Sequence, residues 1–230
     1  MLAAPVYMNK FTILFILILT GSTFAQHEFK LNDASKYFDI RINVEKCDDN
    51  YCTGKAVFSF YKKGGRAPYQ VITLPDTQLE LGEGGKALAN VTMLYDHQSV
   101  VNIGDFNFDG MEDVAICDGA NGSYGGPSYW VYLSSKAVGK FVFNKAFTDL
   151  GQHLGMFEVD KAKKRLSTFD KSGCCYHITE EFAVVGNKPV KIRSVEEEVT
   201  PAEDKRVRVT TKTLVGGKWK TTVKYVKREE

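Results

Sequence analysis

The chain has 230 residues, of which 43% are hydrophobic and 25% are charged, which are ordinary proportions for a globular protein. The 30 lysines and arginines nearly balance the 28 acidic residues, and the formal charge of +2 does not indicate a nucleic-acid partner. Because all-β domains of this size often fold as one unit, residues 26–230 are predicted to form a single domain.

The first 25 residues have the parts of a secretory signal peptide. Lys10 precedes an apolar run over residues 11–19, and small or polar residues follow as far as Ala25, after which we expect cleavage. The run is shorter than the roughly 20 residues that a membrane span needs, although an uncleaved anchor is the alternative. We therefore predict a periplasmic or secreted protein with no membrane segment after cleavage.

Export makes the five cysteines candidates for disulfides. Cys47 and Cys52 bracket a turn rich in Asp and Asn, and they are predicted to clip the ends of a hairpin. Cys174 and Cys175 are adjacent, and one of them is expected to reach Cys117. A bridge between the adjacent pair is the alternative. A zinc site would need a second pair of ligands at suitable spacing, which the sequence does not supply.

Short runs of alternating or β-branched apolar residues recur after the signal peptide and predict strands. In the tail, alternation on both sides of Gly216-Gly217 predicts a hairpin with a solvated lysine face. The charged stretch from Glu196 to Lys205 contains Pro201 and is expected to be a loop, and no amphipathic helix is predicted. The other predicted strands cover residues 40–44, 56–61, 69–74, 91–95, 100–103, 114–117, 129–133, 141–143, 165–169, 176–185 and 190–195. This pattern predicts an all-β fold.

Residues 105–113, which we call the calcium loop, have the oxygen-ligand spacing of an EF-hand-type site. Gly110 at the sixth position permits the sharp turn. The twelfth position is Ile116, so the bidentate glutamate of an EF-hand is absent, and a strand is predicted where an EF-hand has its exit helix. The predicted calcium ligands are the side chains at positions one, three, five and nine and the carbonyl at position seven: Asp105, Asn107, Asp109, Asp113 and Met111.

A glycine-rich segment, residues 118–129, follows that strand, and we call it the Gly/Ser/Tyr loop. Such a segment is costly to order, so we expect it to be held for a function, with the calcium loop anchoring one end and an aromatic strand the other. This arrangement would present Ser123 and Tyr124 outward. Tyrosine offers a large contact area at low entropic cost, which favours a recognition loop over the alternative of a plain surface loop.

No catalytic site is predicted. The four histidines have no neighbouring nucleophile at a recognised spacing. Glu180 and Glu181 are adjacent on a predicted strand and therefore face opposite ways, which argues against shared acid–base work. A hydrolase with the metal as a Lewis acid is disfavoured, because the oxygen ligands of the calcium loop would nearly saturate the ion.

The exported layout, the calcium loop running into a strand, the Gly/Ser/Tyr loop and the Ser-Gly-Cys-Cys-Tyr-His run at residues 172–177 together resemble bacterial periplasmic FG-GAP-like proteins. That group includes type IV secretion immunity proteins directed against lysozyme-like toxins, and it is similar to periplasmic inhibitors of invertebrate-type lysozyme. The resemblance implies an irregular β-propeller-like domain, with a β-sandwich as the alternative, and one calcium site. It also implies a loop that plugs a glycosidase cleft.

In the inhibitors that the chain resembles, a serine and a tyrosine approach the catalytic carboxylates of the enzyme. Ser123 with Tyr124, or Ser128 with Tyr129, match these positions, although here each tyrosine follows its serine directly. The predicted function is therefore an exported, non-enzymatic calcium-binding protein that inhibits a peptidoglycan-degrading, lysozyme-like enzyme sterically. The alternative is a module that binds carbohydrate or a surface polymer, with Tyr124, Tyr129 and Trp130 as stacking platforms.

Overall fold

The computed structural model describes residues 27–91, 98–199 and 206–227. The described strands form three antiparallel sheets, two of four strands and one of six. The all-β prediction is confirmed, and the arrangement is that of a sandwich-like domain, the alternative to a propeller. The predicted signal peptide lies outside the described residues, as does most of the strand predicted over residues 91–95.

The first sheet contains, in order, β1 (His27–Leu31), β2 (Phe38–Asp48), β3 (Tyr51–Lys62) and β4 (Pro68–Glu80). The predicted alternation in β2 is confirmed, because Ile40, Ile42 and Val44 are fully buried while Arg41 is exposed. One face of this sheet therefore carries much of the core, and the other faces solvent.

The second sheet contains β5 (Val101–Gly104), β6 (Asp113–Gly119), β7 (Ser128–Ser135) and β8 (Lys140–Phe143), also in chain order. Residues 105–112 of the calcium loop connect β5 to β6, and residues 120–127 of the Gly/Ser/Tyr loop connect β6 to β7, whereas the remaining residues of both predicted loops belong to these strands. The β6 strand packs against β4 of the first sheet, and its residues 114–117 are buried on both faces. This explains why β6 is a continuous apolar run and does not alternate.

A ring cluster and one amide join the first two sheets. The rings of Phe38, Phe60, Tyr69 and Phe141 lie with centroids 5.1 to 6.5 Å apart. The side chain of Gln70 donates to the carbonyl of Phe141 at 2.9 Å and accepts from its amide at 2.8 Å. Gln70 thus occupies the place of a strand partner for β8 and fixes the two sheets relative to each other.

The third sheet runs in chain order from β9 (Glu158–Asp160) through β10 (Arg165–Ser172), β11 (Tyr176–Val185), β12 (Lys188–Val199) and β13 (Arg206–Val215) to β14 (Lys218–Lys227). Leu166 and Phe182 bring the inner part of this sheet into the core, whereas every residue of β14 is exposed. The β13–β14 pairing confirms the hairpin predicted around Gly216-Gly217.

The loop predicted from Glu196 onward is wrong for residues 196–199, which belong to β12. The charges that suggested a loop are used in cross-strand pairs instead. Lys212 lies 2.8 Å from Glu196, and Arg208 pairs with Glu198 on the same face of the sheet. Residues 200–205, with Pro201, lie outside the described residues.

One short helix, α1 (Lys145–Leu150), was not predicted from the sequence. Asn144 caps it by accepting a hydrogen bond from the amide of Phe147 at 3.1 Å, and Phe147 and Leu150 are buried. Its six residues are too few to show a helical period. Within the described residues, no helix has the length and apolar character needed to cross a bilayer.

The cysteine pairing confirms one prediction and overturns another. Cys47 bonds to Cys52 across the β2–β3 turn as predicted. Cys174 bonds to Cys175, so the alternative holds, and the expected link to Cys117 is wrong. Cys117 is an unpaired thiol inside β6, where burial raises its pKa to about 12.

Candidate functional site

Asp113, at the start of β6, is fully buried and ties the calcium loop to its sheet. One carboxylate oxygen accepts the amides of Phe106 at 2.8 Å and Asn107 at 3.4 Å, and the other accepts the amide of Ser134 in β7 at 2.8 Å. Burial raises the pKa of Asp113 to about 7, although these amide hydrogen bonds lower it; the nearby carboxylate of Asp109 raises it further. The amide hydrogen bonds therefore offset only part of the free-energy cost of burying this carboxylate.

The calcium loop holds its own turn through backbone amides. Asp105 accepts the amide of Asp109 at 3.0 Å and that of Gly110 at 2.9 Å, and Asp109 accepts the amide of Met111 at 2.9 Å. Phe108 and Gly110 both have left-handed backbone, with φ of 62° and 86°. The chain therefore wraps around the side chains that were predicted as ligands.

Calcium takes six to eight oxygen ligands, and all the atoms of this loop that are predicted to bind it are oxygens. The side chain of Asn107 donates to Asp109 at 3.0 Å and to Asn187 in the β11–β12 turn at 2.9 Å. In the described part of the chain, no three acidic, histidine or cysteine side chains converge on one point. The donor type and the backbone fit calcium, but these side-chain conformations do not enclose it. Asp109 is exposed.

The two loops lie at opposite ends of β6. This strand has seven residues, which corresponds to a length of about 20 Å at the usual rise per residue. The calcium loop precedes the strand and borders the β7–β8 and β11–β12 turns, whereas the Gly/Ser/Tyr loop follows it. The expectation that the calcium loop anchors the Gly/Ser/Tyr loop directly is therefore not met.

The anchors of the Gly/Ser/Tyr loop come from the segment after α1. The amide of Ser123 donates to the carbonyls of Gln152 and His153, both at 3.1 Å, and the amide of Gly122 donates to the carbonyl of Gly126 at 2.9 Å. Two further bonds close a single 3-10 turn over residues 123–125: the amide of Gly125 donates to the carbonyl of Gly122 at 3.2 Å, and that of Gly126 donates to the carbonyl of Ser123 at 3.0 Å. A β-carbon on Gly122 would collide with the carbonyl of His153 and lie 2.9 Å from that of Gly126, so the close approach requires glycine.

Tyr124 is 64% exposed and has left-handed backbone with a φ of 62°. Its hydroxyl accepts a hydrogen bond from the amide of Gly173 at 3.0 Å, and the ammonium of Lys171 lies 5.0 Å from the centre of its ring. Gly173 immediately precedes the Cys174–Cys175 bridge at the tip of the β10–β11 hairpin. This hairpin tip therefore positions the most exposed aromatic ring of the loop.

Ser128 and Tyr129, the other predicted partner-binding residues, are fully buried. The hydroxyl of Ser128 donates to Asp118, and that of Tyr129 donates to the carbonyl of Ser99 at 3.0 Å. Both side chains fix the base of the loop, which leaves Ser123 and Tyr124 as the candidates at its surface.

The stacking platform of Tyr124, Tyr129 and Trp130 is not formed either. Tyr129 is buried, and the indole of Trp130 donates to Asp118 at 2.9 Å while its ring packs on Phe143 with centroids 5.5 Å apart. Of the three residues, Tyr124 is exposed, Trp130 is half-buried and Tyr129 is buried.

Several residues that support the loop have no local signal in the sequence. His153 and Asp170 hydrogen-bond to each other 17 positions apart, and Gly173 reaches Tyr124 from 49 positions away. Their importance follows from strand pairing over long sequence distances, which no spacing rule within one segment records.

No family model and no curated protein matches the chain. Among solved structures, the fold is similar to that of a Xanthomonas type IV secretion system related protein, with a TM-score of 0.66. The two share 22% sequence identity, and the similarity covers 85% of this chain and 92% of that chain. At this identity the likeness shows a shared fold, and function has to be argued from the site.

We predict that Asp113→Ala lowers the free energy of unfolding by about 2 kcal/mol or more, because it leaves buried amides of the calcium loop and β7 without an acceptor. The matched change Asp109→Ala, at an exposed carboxylate, should cost less than about 1 kcal/mol. Urea denaturation in calcium-free buffer measures both. Equal losses would show that Asp113 does not hold the loop.

We predict that Gly122→Ala displaces the 3-10 turn, because the added methyl meets backbone carbonyls that have no room to withdraw. Gly125→Ala is the matched control: its β-carbon meets open space, and only its φ of 69° is unfavourable, which costs about 1 kcal/mol. Amide hydrogen exchange over residues 122–126 should accelerate much more in Gly122→Ala. The reverse order would contradict the packing described for Gly122.

Proposed function

We propose that this chain is an exported calcium-binding protein that binds and inhibits a peptidoglycan-degrading, lysozyme-like enzyme through the Gly/Ser/Tyr loop. The observation that carries the proposal is Tyr124, an exposed tyrosine held in a left-handed conformation on a turn with backbone anchors on both sides. The resemblance of the sequence to periplasmic lysozyme inhibitors supports it. The fold shared with a Xanthomonas type IV secretion system related protein also agrees with it.

The hydrogen bonding of Tyr124 suits it to meet a carboxylate. Its hydroxyl oxygen accepts from Gly173, so the hydroxyl hydrogen remains for donation to an acceptor outside the chain. Ser123 adds a second hydroxyl on the same turn. Lysozyme-type enzymes cleave sugars with a pair of carboxylates in a cleft, and these hydroxyls would bond to the carboxylates while the loop fills the cleft. Inhibition of this kind needs no chemistry from the inhibitor.

The rigidity of the turn favours tight binding. A residue other than glycine with a positive φ costs on the order of 1–3 kcal/mol, and such residues cluster at functional sites. The anchors from Gln152, His153 and Gly173 maintain this conformation before any partner arrives. Less conformational entropy is then lost on binding than with an unanchored glycine-rich loop.

Export and calcium binding belong to the same proposal. Two disulfides are typical of a protein that folds in an oxidising compartment, such as the periplasm or the medium. The proposed calcium ligands are the oxygens of Asp105, Asn107, Asp109 and Asp113 and the carbonyl of Met111. Because this loop lies at the far end of β6 from Tyr124, we assign calcium a stabilising role and not a role in docking.

We predict that the purified chain inhibits at least one member of a panel of lysozymes that includes the invertebrate type and bacterial lysozyme-like toxins. Tyr124→Ala should weaken that inhibition about tenfold or more, because a central aromatic anchor is lost. Tyr37→Ala, at a tyrosine that is also exposed but lies between β1 and β2, should not. Lysis of cell-wall suspensions gives the inhibition constants. Unchanged lysis across the whole panel would remove the inhibitory function.

We predict that calcium binds to the chain with a one-to-one stoichiometry in calorimetry and raises its melting temperature. The double change Asp105→Asn with Asp109→Asn should abolish both effects, because two charged oxygen ligands are lost. Chelation well below the melting temperature should change inhibition by less than about threefold, since the docking turn has its own anchors. If calcium produced neither binding heat nor a shift in melting temperature, the calcium site would be refuted and the inhibitory function would be unaffected.

A further inference from the structure

A cleft of about 360 Å³ opens between the first sheet and the Gly/Ser/Tyr loop. Tyr51, Gln78 and Glu80 of β3 and β4 line one wall, and Tyr124 and Lys171 line the loop side. Ser99 and Cys117, both buried, lie at its base. This volume falls within the range of small-ligand sites in proteins, and the proposed docking of an enzyme uses only Tyr124 among these residues.

Strand register explains the composition of the sheet wall. Tyr51 and Glu80 are direct partners across β3 and β4, so their side chains share one face of the sheet. Gln78 stands two residues before Glu80 and shares that face. The Tyr51 hydroxyl lies 3.5 Å from the side-chain oxygen of Gln78, and the ring is 45% exposed. The wall thus presents a ring, an amide and a carboxylate side by side.

On the side of the Gly/Ser/Tyr loop, the cleft is open because the turn contains glycines, which have no side chain. Gly125 and Gly126 leave the backbone of the turn uncovered, and a β-carbon on Gly125 would meet nothing within 4 Å. The ring of Tyr124 stands next to these glycines, with Lys171 above it. Two tyrosine rings therefore border the cleft, one from the sheet and one from the loop.

The charges and polar groups that line the cleft indicate which class of ligand it can bind. Glu80 and Lys171 have opposite signs, so the lining as a whole favours neither an anion nor a cation. A purely apolar ligand would displace water from the amide of Gln78 and the carboxylate of Glu80, which costs free energy. A neutral ring with apolar faces and hydroxyl groups at its edge satisfies both conditions.

We propose that this cleft binds a neutral saccharide, with Tyr51 and Tyr124 against the faces of a sugar ring and the amides of Gln78 and Gln98 at its hydroxyl groups. The site is distinct from the stacking platform of Tyr124, Tyr129 and Trp130 that the sequence suggested, because Tyr51 lies on the opposite side of the cleft from the loop. It also goes beyond the proposed inhibition, since the saccharide binds without any enzyme.

The test is a titration of the isotope-labelled chain with the β-1,4-linked trisaccharide of N-acetylglucosamine and, separately, with maltotriose. Saturable amide shifts near residues 51, 98–100 and 124–126 are expected with at least one of them. Tyr51→Ala should weaken binding at least tenfold, Tyr51→Phe less than threefold because the ring remains, and Tyr37→Ala not at all. Absence of saturable shifts with both sugars, or equal binding by Tyr51→Ala, would overturn the site.

The inhibition assay separates this inference from the proposed function. Tyr51→Ala should lose saccharide binding and keep its inhibition of a lysozyme, whereas Tyr124→Ala should weaken both. Saccharide binding by a chain that inhibits no enzyme supports the cleft and refutes only the inhibitory function. Inhibition without saccharide binding refutes the cleft and supports the inhibitory function.

Discussion

One buried carboxylate determines how the calcium loop meets the fold. Asp113 accepts amides from two consecutive residues of the loop and from Ser134 in β7, so the turn, the start of β6 and its neighbour are set by the same group. Burying a carboxylate is costly, and burial raises the pKa of Asp113 to about 7 although its amide partners lower it. A divalent cation close by would favour the ionised form and complete the compensation. The ninth residue of the calcium loop therefore serves the fold as the acceptor of three backbone amides.

The β6 strand separates the two predicted activities in space. Its first residue belongs to the calcium loop, and its last two residues belong to the Gly/Ser/Tyr loop. The strand pairs with β5 and β7 along its two edges, packs against β4 of the first sheet and is buried over residues 113–117. Anchors for the docking turn come instead from Gln152, His153 and the tip of the β10–β11 hairpin. The proposed metal site and the proposed docking turn therefore lie in different parts of the fold.

Features set by neighbouring residues could be predicted from the sequence, and features set by distant ones could not. Alternation in β2, the Gly216-Gly217 hairpin and the Cys47–Cys52 bridge all depend on short spans of chain. The calcium-loop spacing is equally local, and its turn has the expected left-handed Gly110. Burial of Tyr129 was not predicted, because alternation assigns faces to a strand without showing that α1 packs on one of them. Contacts such as Gly173 with Tyr124 depend on how hairpins far apart in the chain are placed together.

The cysteine pattern has a consequence for how the chain matures. Both bridges join cysteines five or fewer positions apart, so they constrain turns and leave the long-range topology to the core. Disulfide exchange needs a thiolate, and burial with a pKa of about 12 withdraws Cys117 from that reaction once β6 is in place. Until then five thiols compete. Packing of β6 into the core therefore separates Cys117 from the four cysteines that form the two bridges.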